Sequence, residues 1–282
     1  MSANFISWEE AVVWLVSQPD KQKLVHDCYY DPSLEEAVQR YWNSLEWKEV
    51  RSFLPANCGR ALDLGAGRGI ASFALAKDGW DVVAVEPDPG DYVGSGAIRK
   101  IAESERLPIE VIQEFGEKIP CESTSFDLVF ARQVLHHAHD LPGLCAEVFR
   151  VLKPGGKFIA VRDHVISSPS DLPAFHAIHA LHQLYGGENA FMLKQYLFAL
   201  RNAGFRIERV LRPFDSIINY APHTRDSLRK EIVSRLSRFP FSGIFARMLN
   251  LEFVMSAILV ILSRMDRRPG RLYSFVCFRP EE

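Results

Sequence analysis

The sequence predicts an α/β domain in which helices cover both faces of a mainly parallel sheet, and three observations lead to this prediction. From Arg60 to Leu211, short apolar runs alternate with amphipathic stretches, as parallel strands alternate with crossover helices. A glycine-rich turn from Gly65 to Gly69 directly follows the first apolar run. The second run ends in an acid, Glu86. We therefore expect a doubly wound sheet with a ligand site beyond the carboxyl ends of its strands.

Helices are predicted ahead of the sheet. Trp8 to Val16 place apolar residues on one helical stripe, and a second helical segment runs from about Ser33 through Phe53. The stretch LPANCG breaks this segment before the glycine turn. Residues 1–55 are therefore expected to form an N-terminal helical cap.

Seven strands are predicted in the region that follows. They read RALDLG, DVVAVEP, IEVIQE, FDLVFAR, GKFIAVRD, Arg206 to Leu211, and RLYSFVCFR. Helices are expected between them, including one near Met192 to Ala203. Two insertions interrupt the alternation, at 166–190 and at 213–270. The predicted organisation is the cap (1–55), a cofactor-binding α/β core (56–212), a helical insertion that acts as a lid or dimer element (213–270), and the final strand of the core (271–282).

Composition excludes several classes of function. The chain has 282 residues, 48% of them hydrophobic, and a net charge of −2, so no general attraction to nucleic acid is expected. Its five cysteines are dispersed and form no C-x-x-C pair, which argues against a disulfide framework or a zinc site. The N-terminus lacks the basic-then-apolar order of a signal peptide. We therefore expect a cytoplasmic location.

The spacing of the glycines narrows the choice of cofactor. A dinucleotide site needs G-x-G-x-x-G, but this chain reads G-x-G-x-G and has Ile70 in place of the third glycine. Asp63, two residues before the turn, would repel a pyrophosphate and would suit a cationic ligand. S-adenosylmethionine (SAM) carries a sulfonium and an ammonium and has no phosphate. Glu86 can accept hydrogen bonds from ribose hydroxyls, but NAD enzymes share that feature. A tight turn without a ligand is the alternative.

Five motifs occur in a fixed order: LDLGAGRG, VVAVEPD, EFGEKIP, FDLVFARQVLHHAHD and EVFRVLKPGGKFIAV. In order and spacing they resemble the class I SAM-dependent methyltransferases, and most of all the large group that acts on small molecules. The resemblance covers about Arg60 to Val165 well and the remainder, through the last strand, more loosely. It implies a Rossmann-like, seven-stranded sheet whose last strand is antiparallel.

The resemblance also implies roles for individual residues. The methionine end of SAM would lie against Asp63 and the turn Gly65, Ala66, Gly67 and Gly69. Its ribose would bind Glu86, and its adenosine would lie beside Pro87 and Asp88, with Phe115, Gly116 and Glu117 in place of an Asp-Ala pair at the adenine. Arg132 and Gln133 would line the floor, and Tyr29 and Tyr30 would belong to a lid formed by the N-terminal helices.

Histidines at two predicted strand ends are candidates for proton transfer. LHHAHD follows the fourth strand and VRDHV ends the fifth, so the two groups are expected to be neighbours at the same edge of the sheet. A histidine oriented by Asp163 would make a general base for an oxygen acceptor. We expect His137 to be that base, with His136 as the second candidate. A purely structural role for both histidines is the alternative.

A second histidine series is His176, His179 and His182. Its spacing of three would keep the rings on one helix face, but no nearby carboxylate or cysteine completes a metal site. We therefore expect a polar face lining the acceptor pocket and no metal.

The segment Phe245 to Arg268 is apolar and flanked by basic residues. Asn250, Glu252 and Ser256 interrupt it, and a bilayer span needs about 20 apolar residues. We expect a helix buried against the domain or in a homodimer. An interfacial helix serving a peripheral membrane or lipid-linked acceptor is the alternative, and a spanning helix is the least favoured.

Together these features predict a SAM-dependent methyltransferase that acts on a small molecule, with oxygen favoured as the accepting atom. A nitrogen or carbon acceptor and a non-catalytic, methyltransferase-like binding subunit stay as alternatives. An NAD oxidoreductase is opposed by Ile70 and Asp63.

Overall fold

The computed structural model describes residues 5–236 and 247–281. Its centre is one sheet whose strands follow the predicted apolar runs. The strands are β1 (Arg60–Leu64), β2 (Asp81–Val85), β3 (Ile109–Ile112), β4 (Phe126–Arg132), β5 (Leu152–Ile166), β6 (Phe191–Met192), β7 (Arg206–Leu211) and β8 (Arg271–Phe278).

The order of the strands confirms the doubly wound prediction. The sheet runs β3-β2-β1-β4-β5-β8-β7, and β6 pairs with β5 outside this path. Neighbours from β3 to β5 are parallel, whereas β8 is antiparallel to both β5 and β7. The described sheet therefore has the seven expected strands, the last one antiparallel, and the two-residue strand β6 in addition. The chain leaves β1 in one direction and β4 in the other, so their carboxyl ends form the switch point where ligands bind in such sheets.

Both faces of the sheet are buried, as expected for strands between two helical layers. Side chains alternate along a strand, so Leu62 and Leu64 pack into one layer while Ala61 packs into the other. Asp63 follows the same alternation as Ala61 and is buried on the α5 side, where Ser72 reaches its carboxylate. The strand thus carries a carboxylate into the core at the point where the glycine turn begins.

The helices surround this sheet. They are α1 (Trp8–Ser17), α2 (Gln22–Asp27), α3 (Leu34–Trp42), α4 (Leu45–Arg51), α5 (Ile70–Lys77), α6 (Ser95–Ser104), α7 (Leu141–Val151), α8 (Leu172–Ile178), α9 (His182–Tyr185), α10 (Leu193–Asn202), α11 (Ile217–Tyr220), α12 (Arg225–Leu236) and α13 (Glu252–Met265).

The single helix predicted from Ser33 through Phe53 is wrong, because α3 and α4 are separate. Helix α3 ends at Trp42, and the hydroxyl of Ser44 then accepts the backbone N–H of Trp47 at 3.0 Å. Serine at this position caps the free N–H groups of a new helix. The short α4 therefore takes its own direction and brings its first turn over the sheet.

Helix α13 lies in the late insertion. Met255 and Leu259 are buried against α12 and against residues that precede α12 in the chain. The side chains of Phe253 and Met265, by contrast, are 72% and 70% exposed. No helix in the described ranges is long and apolar enough to cross a membrane. The first two residues of the predicted segment, Phe245 and Ala246, lie outside the described residues. Contact of this insertion with a second copy or a membrane surface stays a prediction.

Candidate functional site

The glycine turn leaves an open surface at the end of β1. Gly65, Gly67 and Gly69 have φ angles of 61°, 56° and 83°, a region that side chains disfavour. A Cβ on Gly65 would meet Cγ2 of Val134 at 2.7 Å, whereas a Cβ on Gly67 would meet nothing within 4 Å. Gly65 is therefore required for packing, and Gly67 presents bare backbone to a cavity.

Two buried carboxylates flank this turn. Glu86 accepts the backbone N–H of Gly67 at 2.7 Å and that of Asp88 at 3.0 Å. Asp63 accepts the hydroxyl of Ser72 at 2.5 Å. Burial raises the pKa of each carboxyl group, to about 7 in both cases. A ligand that brings positive charge or hydrogen-bond donors to this place would favour their ionised forms.

A cavity of about 580 Å³ extends from the turn along the carboxyl ends of β1, β2, β4 and β5. Its volume falls in the range of about 300–1,000 Å³ that is usual for small-molecule sites. The predicted cofactor residues that line it are Tyr30, Asp63, Gly65, Ala66, Gly67, Glu86, Pro87, Asp88, Phe115, Gly116, Glu117, Arg132 and Gln133. His136, His137, His164 and Glu188 line it as well.

Two predicted cofactor residues do not line this cavity. Gly69 is the N-cap of α5, and its φ angle serves the turn into the helix. Tyr29 is buried, with its ring 5.2 Å from that of Tyr41 and the guanidinium of Arg132 5.6 Å from its centroid. The lid role expected for Tyr29 is therefore a packing role, and Tyr30 is the one of the pair that faces the ligand space.

The N-terminal segment is held over the cavity by an arginine of the glycine turn. Nη1 of Arg68 donates to the carbonyl oxygens of Tyr29 and Asp31 at 2.9 and 3.0 Å. Its guanidinium also lies 4.7 Å from the ring centroid of Tyr92. The turn thus positions both the ligand surface and part of its cover. By contrast, no described residue of the 213–270 insertion is among the residues that line the cavity.

A buried ion pair that the sequence did not indicate lies at the floor of the cavity. Glu46 of α4 is 2% exposed and accepts Nε of Arg132 at 2.8 Å, and Nη1 of Arg162 lies 3.8 Å away. Attraction to Glu46 helps to keep the pKa of Arg132 above its usual value despite burial. Because Arg132 ends β4 and Arg162 lies in β5, one carboxylate ties the helical cap to both strands.

The histidine that Asp163 orients is His136. Nδ1 of His136 lies 2.9 Å from Oδ1 of Asp163, and that oxygen also accepts the backbone N–H of His136 at 3.2 Å. His137 is exposed at the cavity, with its Nδ1 3.3 Å from the carbonyl oxygen of Gly187. The expected pairing of His137 with Asp163 is therefore wrong. The 3₁₀ turn Leu135–His137 aims the two rings differently, and only the first reaches β5.

Burial disfavours charge on this pair. It lowers the pKa of His136 well below its usual value and raises that of Asp163 to about 8. In the tautomer with the proton on Nδ1, His136 donates to Oδ1 of Asp163. Nε2 of His136 then carries a lone pair that can accept a proton.

Glu188 is a site residue that sequence reasoning missed. It is 5% exposed and lines the cavity, and Tyr185 donates a hydrogen bond to its Oε1. Oε2 of Glu188 lies 3.8 Å from Nε2 of His136. No local pattern marks Glu188, because the loop before β6 brings it back to the strand ends.

The second histidine series does not share one helix face. Helix α8 ends at Ile178, so His179 lies after it and His182 begins α9. The rings of His176 and His182 stack at 3.7 Å, and Nε2 of His179 lies 3.5 Å from Oε1 of Glu188. The expectation that no carboxylate lies nearby is therefore wrong, and none of the three lines the cavity in the described structure.

Comparisons with known proteins all find methyltransferases. Residues 62–160 match the family model described as a methyltransferase domain. A ubiquinone biosynthesis O-methyltransferase of Azorhizobium caulinodans is 30% identical over 39% of this chain and 43% of its own length. A sterol 24-C-methyltransferase of Aspergillus fumigatus is 33% identical over 52% of this chain and 40% of its own length. The matched part thus spans about two fifths of these relatives.

Residues 62–160 of the chain therefore match a methyltransferase domain and are similar to class I SAM-dependent methyltransferases. The chain shares its fold with phosphoethanolamine N-methyltransferase 2 of Haemonchus contortus, which was solved in complex with S-adenosyl-L-methionine. The two structures superpose with a TM-score of 0.59 and 18% sequence identity, over 98% of this chain and 61% of that one.

S-adenosylmethionine is the cofactor of this family, and two features of the described site fit it. The backbone at Gly67 leaves room for a ligand to lie against it. Asp63 and Glu86 are buried carboxyl groups whose ionised forms a cationic, hydroxyl-bearing ligand would favour. The described site therefore has an acid-flanked glycine turn with space for such a cofactor beside it.

Proposed function

We propose that this protein transfers the methyl group of SAM to an oxygen atom of a small molecule. The observation that carries the proposal is a single cavity that joins the glycine turn to the His136–Asp163 pair. A donor at the turn and an acceptor beside the pair would share one cavity. Holding both reactants in line accounts for much of the rate of such a displacement.

The cofactor would be held by the groups around the turn. Asp63 and the backbone of Gly65 to Gly69 would receive its methionine end, and Glu86 would accept hydrogen bonds from its ribose. Pro87 and Asp88 would lie beside the adenosine. Toward the adenine, Phe115 is 56% exposed, and Glu117 already accepts the backbone N–H of His139 at 3.1 Å. The backbone of Gly116 is therefore the better candidate for a contact with the adenine amine.

When bound, SAM supplies a methyl carbon on a positively charged sulfur, so that a carbon–oxygen bond forms as the carbon–sulfur bond breaks and its electrons stay on sulfur. The acceptor hydroxyl must lose its proton in this step. Nε2 of His136 would take this proton, and Asp163 in its ionised form, with Oδ1 2.9 Å from Nδ1, would stabilise the imidazolium that forms. We therefore place the acceptor hydroxyl beside His136, with His137 as the second candidate for the base.

The accepting atom distinguishes this proposal from its alternatives. The relatives are named for methyl transfer to oxygen in one case and to carbon in another. The buried, oriented imidazole favours oxygen, because a hydroxyl needs help to lose its proton whereas an amine can present a lone pair. The cytoplasmic location expected from the cysteines stays a prediction.

The experiment compares matched acceptors and matched variants. Small phenols and hydroxy acids, each with its amino analogue, are incubated with the protein and methyl-labelled SAM, and products are identified by mass spectrometry. We expect labelled methyl ethers or esters from the hydroxyl compounds. Label found only in the amino analogues would contradict the oxygen assignment.

The His136→Gln variant tests the base. Turnover should fall by roughly 10²–10⁴, the usual contribution of a general base, with unchanged affinity for SAM. His223 is exposed and does not line the cavity, so His223→Gln serves as the control. A larger loss in His137→Gln than in His136→Gln would move the base to His137.

A further inference from the structure

Three nitrogen and oxygen ligand groups converge at the acceptor side of the cavity. His136 lies in the turn after β4, His164 near the end of β5, and Glu188 in the loop before β6. One ligand atom from each lies within 4.8 Å of the others. His136 and Glu188 are buried, and all three residues line the cavity.

Both imidazoles have one ring nitrogen engaged and the other free to act as a ligand. Nδ1 of His136 faces Oδ1 of Asp163 at 2.9 Å, and Nδ1 of His164 faces the carbonyl oxygen of Gly270 at 2.8 Å. A carbonyl only accepts, so Nδ1 of His164 carries the proton and its Nε2 has the lone pair. Metal-binding histidines are held in this way, by a carboxylate or a backbone carbonyl on the nitrogen that does not bind the metal.

Glu188 presents an oxygen atom without a partner. Its Oε1 accepts the hydroxyl of Tyr185, but its buried Oε2 has no hydrogen bond to any described residue. Oε2 of Glu188 lies 3.8 Å from Nε2 of His136, beyond hydrogen-bond distance. A buried carboxylate oxygen without a hydrogen-bond partner destabilises the fold unless a ligand supplies the missing interaction.

The charges around the cluster point to a cation. Asp163 and Glu188 are both buried, and within the described ranges their ion-pair neighbours are the histidines His136 and His179, not lysine or arginine. Glu188 is therefore a buried carboxylate among imidazoles, an unfavourable state without a positive partner. A divalent cation among them would supply that charge.

We propose that His136, His164 and Glu188 bind a divalent transition-metal cation of the Zn²⁺ type, through Nε2 of each histidine and Oε2 of the glutamate. Imidazole and carboxylate ligands together suit this class, whereas Mg²⁺ prefers oxygen ligands alone. At metal–ligand distances of about 2.0–2.2 Å the three atoms would lie about 3–3.5 Å apart. Since the ligand atoms lie within 4.8 Å of one another, the cluster would have to contract by up to roughly 1–2 Å around the cation.

Three protein ligands would leave one position of a tetrahedral cation open, and because all three residues line the cavity, a ligand in the cavity could take it. This inference deepens the proposed function and rests on it for the identity of the acceptor. An acceptor oxygen bound at the open position would be held near the donor and made more acidic by the cation. His136 would then act as a ligand in place of its role as base, and the proton of the acceptor would pass to His137, the second candidate, which also lines the cavity. The acceptor class would be small molecules with a metal-coordinating hydroxyl, such as catechols, enols or α-hydroxy acids.

The test measures the metal alone. The full chain, without an affinity tag and stripped with a chelator, is titrated with ZnCl₂ in a calorimeter. We expect one ion per chain, with at least tenfold weaker binding for Glu188→Gln and for His164→Gln, because even partners that only orient metal ligands are worth about 10–100-fold. His223→Gln removes an exposed imidazole elsewhere and should bind as the wild type does.

Zinc binding that is unchanged in both cluster variants, or absent in the wild type, would overturn the site. Displacement of zinc by an equal concentration of MgCl₂ would overturn the class of cation. Each variant is also titrated with S-adenosylhomocysteine, and unchanged affinity shows that it is folded. Lack of cofactor binding by the wild type would count against the proposed function and would leave the metal result standing.

Discussion

The affinity of this protein for SAM should depend on pH through Glu86. The carboxylate is 7% exposed and accepts two backbone N–H groups, yet burial raises its pKa to about 7. Ribose hydroxyls would donate to the ionised form, so the proton must leave before the cofactor binds well. The sign follows directly: affinity is high above pH 7 and falls as the pH drops through 7.

The size of the effect follows from the ionised fraction. A group with a pKa of about 7 is about 90% ionised at pH 8 and about 10% at pH 6, so affinity should fall about tenfold, or about 1.4 kcal/mol. Glu86→Gln keeps the shape and removes the titration. Its affinity at pH 8 should be weaker by about 1.5–3 kcal/mol, the usual worth of hydrogen bonds to a charged group.

Calorimetric titration with SAM at pH 6 and pH 8 measures both quantities. Asp63 also has a raised pKa of about 7, and the amino group of the ligand titrates as well, so the wild type alone is not decisive. The decisive quantity is the ratio of affinities at the two pH values, compared between the wild type and Glu86→Gln. An equal ratio in the two proteins would refute the assignment of this dependence to Glu86.

Two further predictions concern stability. Glu46→Gln should destabilise the fold by about 3–5 kcal/mol in urea denaturation, because it leaves the buried guanidinium of Arg132 without its carboxylate. The control is the exposed Glu36→Gln, whose free energy of unfolding should stay within about 0.5 kcal/mol of the wild type. Equal losses in the two variants would contradict the role of the ion pair. Gly65→Ala should cost more stability than Gly67→Ala without cofactor, since both positions have positive φ but only the first meets a neighbour, at 2.7 Å. The reverse order would show that the turn relaxes around the new methyl group.

Local patterns predicted most of the sheet and the cofactor half of the site. Apolar runs bounded by turns predicted β1 to β5, because a buried strand consists of consecutive, mostly apolar residues. The glycine turn, Asp63 and Glu86 were found in the same way, since each lies directly at the end of a strand. The break between α3 and α4 was missed although Ser44 is a usual helix cap.

The acceptor half of the site was decided by tertiary structure. The sequence placed two histidines and Asp163 at neighbouring strand ends, but the geometry of one 3₁₀ turn determined that His136, not His137, reaches the carboxylate. Glu188 and Glu46 carry no local signal, because a loop and a capping helix bring them to the sheet from distant parts of the chain. Periodicity reports which face of an element is buried, whereas the partner of a buried charge depends on how separate elements pack, and that information is not local in the sequence.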